Sequence, residues 1–151
     1  MKKSYPPIFP NADFYDVAIE ELESYFVNPF ATSSRRSVLA KNLHNYLMII
    51  SDILKTKNIN AEVWVDGSFV TEKIDPDDVD LVFCFPDEIN FLNENEKRKL
   101  SSYINGDFSK INYDCDSYLF LNGNKASRDY WEDFFQHDRD NNPKGVARIF
   151  I

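Results

Sequence analysis

Glycine is scarce in this chain, with four in 151 residues, so each one needs a local reason to be there. Cysteine is scarcer. Cys84 and Cys115 are too few for a disulfide framework and form no CxxC pair. Neither of the two histidines, His44 and His137, has a second His or Cys at ligand spacing, which argues against a zinc site. No Gly-x-Ser-x-Gly elbow exists to carry a hydrolase serine. No apolar run approaches the ~18 residues that read as a membrane span. The start, MKKSYPPIFP, has lysines but no apolar stretch behind them, so a chain without a secretory leader, resident in the cytoplasm, is expected. Positive charge is also short: 17 Lys and Arg against 25 Asp and Glu give a net charge of −8. Such a surface repels phosphate backbones and disfavours broad nucleic-acid binding.

What remains is apolar and aromatic. The apolar share of 43% and aromatic share of 15% describe a globular chain with an aromatic-rich core. Its length suits one domain spanning 1–151.

Along the chain, YPPIFP is an extended lead-in. From Asn11 to about Val27, Phe14, Val17, Ala18, Leu22, Tyr25 and Phe26 follow helical spacing. A second helix, offered N-caps by Thr32, Ser33 and Ser34, carries the stripe Leu39, Leu43, Tyr46, Leu47, Ile50 and Leu54. AEVWVD and VDLVFCF read as buried strands, and PDEINFLNENEKRKLSSYING reads as a helix with Gly106 at its C-cap. INYDCDSYLFL, 111–121, reads as a third strand. SRDYWEDFFQHD is a short helix whose Trp131, Phe134 and Phe135 read as core, and GVARIFI is a last strand. The expected fold is α+β: a mixed four-stranded sheet with helices mainly on one face, preceded by two N-terminal helices.

Chemistry concentrates in WVDGSFVTEKIDPDDVDLVF, 64–83. An apolar strand ends at Gly67-Ser68, and after nine intervening residues Asp78 and Asp80 head the next strand. Alternation puts both carboxylates on one face, with Cα atoms roughly 6.5–7 Å apart, while Val79, Leu81, Phe83 and Phe85 form the other. Two such carboxylates repel, and a divalent cation relieves this, since Mg²⁺ is commonly held by one or two carboxylates plus phosphate oxygens. Gly67 permits a sharp turn and close backbone approach, and Ser68 adds a hydroxyl suited to a triphosphate oxygen. Lys73, further along, either reaches a phosphate or is solvated. In YDCDSYLF, Asp114 and Asp116 are expected on one face of their strand and offer a third carboxylate.

This pattern resembles the active-site signature of the nucleotidyltransferase superfamily with a DNA-polymerase-β-like palm, including its minimal, antitoxin-type members. More closely, the chain is similar to a small bacterial family of nucleotidyltransferase-like domains. The shared features are Pro6-Pro7, Arg35-Arg36, the 64–83 stretch, Tyr113 to Tyr118 and Tyr130 to Val146. The resemblance implies transfer of an NMP group from an NTP to a hydroxyl, on a protein or RNA, with Mg²⁺ or Mn²⁺. Gly67 and Ser68 then hold the triphosphate, and Asp78, Asp80 and Asp116 form the metal site, with Asp116 matching the third carboxylate, which deprotonates or orients the acceptor, and Asp114 as the alternative to it. The rival expectation is a catalytically silent nucleotide- or partner-binding module of the same fold, antitoxin-like or regulatory.

HDRDNNPKG, 137–145, starts like a calcium loop, but Pro143 and Ile149 stand where Gly and Glu are needed, so a turn is expected. Its Arg139 and Lys144 are cations able to face the site and bind phosphate. Arg35 and Arg36 sit at the positive end of a helix, where a carboxylate or phosphate contact is expected.

Overall fold

The computed structural model describes residues 5–151, which leaves Lys2 and Lys3 of the lead-in outside the described residues. The strands are β1 (Phe14–Asp16), β2 (Glu62–Asp66), β3 (Val79–Phe85), β4 (Cys115–Leu121) and β5 (Val146–Phe150). The α-helices are α1 (Leu22–Phe26), α2 (Arg36–Lys55), α3 (Glu94–Tyr103), α4 (Gly106–Tyr113) and α5 (Lys125–Phe135). Short 3-10 turns cover Ile19–Glu21, Gly67–Val70 and Asp87–Phe91. The class is α+β, with the strands in one mixed sheet of order β1-β5-β2-β3-β4.

Five strands stand where four were expected, and the extra one comes from the segment read as the first helix. Phe14 packs on Trp64 with ring centroids 4.7 Å apart, while Tyr15 stacks on Phe9 at 4.5 Å. The two side chains therefore leave opposite faces of a strand, and Phe14–Asp16 pairs in parallel with Val146 to Arg148. That partner lies at the far end of the chain, beyond the reach of local periodicity. Of the two N-terminal helices, α1 is one short piece of five residues and α2 is the long one, with 20.

The stripe on α2 is buried throughout, from Leu39 to Leu54. It packs on the sheet face formed by Val63, Val65, Leu81, Phe83, Ala147 and Ile149. Helices α1 to α4 serve this face. The opposite face holds Trp64, Val82, Cys84, Phe120 and Val146, covered by α5 through Phe135 and half-buried Trp131. Phe134, expected in the core, is instead 58% exposed and stacks on Tyr130. Both cysteines are buried free thiols, and burial pushes the Cys84 thiol up to about 11 and Cys115 upward too.

The region read as one helix and then a strand is differently divided. Asn93 caps α3 by accepting the Glu96 amide at 2.8 Å, and Glu96 reaches back to the Asn93 amide. Asn105 accepts the Asp107 amide at 3.0 Å and starts α4, so Gly106 opens a helix rather than closing one. Residues 111–113 finish α4, and Asp114 ends it in the left-handed region at φ 54°. Strand β4 begins only at Cys115.

Arg36 is fully buried in the first turn of α2. It donates to the carbonyls of Phe26, Phe69, Thr71 and Lys73 at 2.6 to 3.1 Å, and its guanidinium lies 3.7 Å from the Phe30 ring centroid. No carboxylate among the described residues pairs with it. Its partners are backbone carbonyls, and three of them follow Ser68. Burial lowers its pKa to about 10. Arg35 donates to the Asp77 carbonyl at 2.7 Å and lies 3.7 Å from the Asp114 carboxylate.

Candidate functional site

The pleat and the register bring distant aspartates together. Asp66 is the last residue of β2 and pairs with Asp80 of β3. Asp80 in turn pairs with Asp116 of β4. Three carboxylates thus lie side by side on three adjacent strands, which are about 4.8 Å apart. They occupy the face that α5 covers further along, over Trp64 and Val82. Asp78 immediately precedes β3 and shares their face by alternation.

The glycine explains itself here. Gly67 follows Asp66 directly, at φ +76°, and a Cβ on it would stand 2.2 Å from Asp80 Oδ2. The space expected for a ligand is filled by the Asp80 carboxylate, which lies against the turn. Ser68 opens to the partly exposed side, and its carbonyl accepts both the amide and hydroxyl of Thr71, at 3.2 and 2.7 Å.

The other expected residues divide. Lys144 arrives, with Nζ 3.0 Å from Asp66 Oδ2. Lys73 forms no ion pair among the described residues, and its ammonium lies over the Tyr5 ring, 5.8 Å from the centroid. Arg139 is exposed in the turn after α5, which Asp138 closes by accepting the Asp140 and Asn142 amides. Asp114 does not share a face with Asp116, because it caps α4. Its carboxylate accepts from Asn42 Nδ2 at 3.1 Å.

Two members of the cluster escaped the sequence reading. Asp66 was read only as the last residue of an apolar strand, although its phase with Glu62 and Trp64 places it on this face. Lys110, whose Nζ is 3.7 Å from Asp78 Oδ2, falls between the helix read as ending at Gly106 and the strand read from 111.

Residues 4–150 match the model of a family described as a family of unknown function (DUF6932). The chain belongs to DUF6932. No curated protein and no solved structure matches it.

Electrostatics sets what the carboxylates of this DUF6932 member can do. Burial, opposed by Lys144, raises Asp66 to about 7. Burial, reinforced by Asp78 and Asp116, raises Asp80 to about 6. Asp78 is also raised, by burial first, with Lys110 opposing and Asp116 adding. With all four carboxylates ionised, the ammonium groups of Lys110 and Lys144 leave a formal excess of two negative charges. One divalent cation balances that. Among the described residues, no three His, Cys, Asp or Glu side chains converge as a ligand cage.

A pH dependence follows. Asp80 titrates near 6 in the folded chain and near 3.8 when unfolded, so the folded state binds more protons between those values. Stability from this group falls as pH rises through about 6. In chelator, Asp80→Asn is expected to raise stability by roughly 2 kcal/mol at pH 8 and by little at pH 4.5. Urea titrations at the two pH values check this, and equal effects at both would contradict the electrostatic account.

Proposed function

We propose that this protein is a divalent-metal-dependent nucleotidyltransferase that moves an NMP group from an NTP to a hydroxyl on a protein or RNA. The observation that carries the reading is the pairing of Asp80 with Asp116 beside the Gly67-Ser68 turn. A strand register joins the two carboxylate motifs without any local sequence signal.

Asp78 and Asp80 are the residues to hold Mg²⁺ or Mn²⁺. When bound, that ion supplies the positive charge that polarises the α-phosphate and neutralises the leaving pyrophosphate. Ser68 donates its hydroxyl to a triphosphate oxygen at the turn. Asp116, one oxygen of which accepts the Tyr118 hydroxyl at 3.3 Å, takes the proton of the acceptor hydroxyl. The acceptor oxygen bonds to the α-phosphorus, the bond from that phosphorus to the bridging oxygen breaks, and pyrophosphate leaves. The cation-binding pair and the proton acceptor sit on different strands, so their contributions separate experimentally.

A second reading, a nucleotide- or partner-binding module without catalysis, draws on the missing ligand cage among the described residues. The two readings part at Asp116. In the transferase, its effect belongs to the transition state. Asp116→Asn is expected to keep NTP affinity within a few-fold while lowering transfer by on the order of 10²-fold. Asp114→Asn is expected to leave transfer near wild type, because Asp114 faces Asn42 and Arg35. Transfer of α-labelled NTP and equilibrium NTP binding, measured on both variants, test this. The reverse ranking would overturn the assignment of Asp116.

A further inference from the structure

The Asp66–Lys144 pair is built more firmly, and satisfied less fully, than packing requires. Asp66 is 4% exposed, and its Oδ1 has no hydrogen-bond partner among the described residues. Its Oδ2 meets Lys144 Nζ at 3.0 Å. An ion pair kept for stability alone gains only if the remaining lone pairs are satisfied, and otherwise an apolar pair serves as well or better. A buried carboxylate with one oxygen unpartnered therefore points to a use.

The lysine is mounted rigidly. Its own amide donates to the Gln136 carbonyl at 2.8 Å, the next amide, Gly145, donates to Phe9 at 2.6 Å, and Val146 donates to Asp13 at 2.9 Å. Gly145 is closely packed, since a Cβ there would come within 2.5 Å of both Tyr15 and Phe9 ring or side-chain atoms. The loop that delivers Lys144 is thus fixed to the N-terminal segment and to the end of α5. The ammonium has three donors. One is directed at Asp66, and the lysine charge also acts on Asp80.

We propose that Asp66 is a positioning residue that holds the Lys144 ammonium at the end of the sheet as a fixed receptor for the polyphosphate of the nucleotide. This rests on the nucleotidyltransferase reading. Asp66 fixes the direction of the ammonium, and Lys144 pairs with non-bridging phosphate oxygens and with the departing pyrophosphate. The carboxylate touches no substrate. It acts through the lysine, so its removal matters only while the lysine is present.

The test is a binding cycle with the magnesium salt of inorganic tripolyphosphate, which presents the phosphates without a base, alongside the four NTPs. Asp66→Asn and Lys144→Met are each expected to weaken tripolyphosphate binding about tenfold, and Lys144→Arg to stay within about threefold of wild type. The double variant Asp66→Asn, Lys144→Met is expected to bind no more weakly than Lys144→Met alone. If Lys144→Met folds poorly because it leaves Asp66 uncompensated, the double variant, which buries no charge at this pair, is compared with Asp66→Asn and is expected to match it. Losses that multiply in the double variant, or a double variant that binds as tightly as wild type, overturn the inference. Wild-type binding that Asp80→Asn abolishes while Lys144→Met leaves it intact sinks this proposal and spares the transferase reading. Wild type that binds neither tripolyphosphate nor any NTP sinks both.

Discussion

Replacing Arg36 with methionine is expected to destabilise the protein by roughly 4–5 kcal/mol, enough to unfold many domains of this size. The guanidinium is the donor for four carbonyls, those of Phe26, Phe69 and Thr71 in buried contacts and that of Lys73 in a part-buried one. A neutral apolar chain fills the volume and strands those acceptors, at about 1–3 kcal/mol for each buried group left unpaired. The costs do not sum fully, since the loop can relax toward solvent. Lysine is expected to rescue little, because a single ammonium cannot span carbonyls arranged for a planar fork. The urea midpoint measures this, and a loss below about 1 kcal/mol would show that the buried fork is not what ties α2 to the turn. Because three of the four carbonyls follow Ser68, Arg36→Met is also expected to loosen the Gly-Ser turn from beneath.

The second large effect is at Gly67. Alanine there meets Asp80 Oδ2 at 2.2 Å and must hold φ at +76°. The positive φ costs about 1–2 kcal/mol by itself. Neither neighbour can give way cheaply: the carboxylate lies in a strand between Asp66 and Asp116, and the turn is tied to Arg36. Displacing Asp80 removes one of the two carboxylates assigned to the cation, so Gly67→Ala is expected to lower metal-dependent NTP binding as far as Asp80→Asn does. Ser68→Ala, which loses one hydrogen bond, is expected to cost only about 1–2 kcal/mol of binding. Adding Asp80→Ala to Gly67→Ala removes the carboxylate and leaves only its Cβ, 3.1 Å away, and is expected to recover part of the lost stability but none of the binding. Thermal melts with NTP titrations on these four variants check this. A Gly67→Ala protein with wild-type affinity would mean that the glycine serves only the turn.

How far the sequence foretold this depended on whether each signal was local. The α2 stripe and the alternation of Val79, Leu81, Phe83 and Phe85 are local, and both ended up buried as read. Strand β1 was hidden because its three residues pair with the last strand, and because Phe14, Val17 and Ala18 also satisfy a helical period. The Asp114-Cys115-Asp116 triplet was ambiguous for a different reason. A strand running through all three puts both aspartates on one face, whereas the left-handed cap at Asp114 turns the chain and leaves Asp116 alone beside Asp80. Lys110 was lost through the same misplacement of the helix end. Asp66 was visible as a letter but not as a site, since only the β2–β3 register sets it beside Asp80. The reason for Gly67 was half legible. The turn was expected, and the contact that forbids a side chain came from the neighbouring strand.

Incorporation of α-labelled NTP decides whether the row of carboxylates supports nucleotidyl transfer. Purified protein is incubated with each of the four NTPs and Mg²⁺ or Mn²⁺, alone, with RNA, and with proteins that co-purify with it. The Asp78→Asn, Asp80→Asn double variant serves as the control. The account predicts that with at least one NTP the label becomes covalently attached to a protein or RNA, with release of pyrophosphate. It also predicts no incorporation in chelator, and none by the double variant, which remains folded. Incorporation that persists in the double variant, or metal-dependent NTP binding by wild type with no transfer to any acceptor, would contradict it.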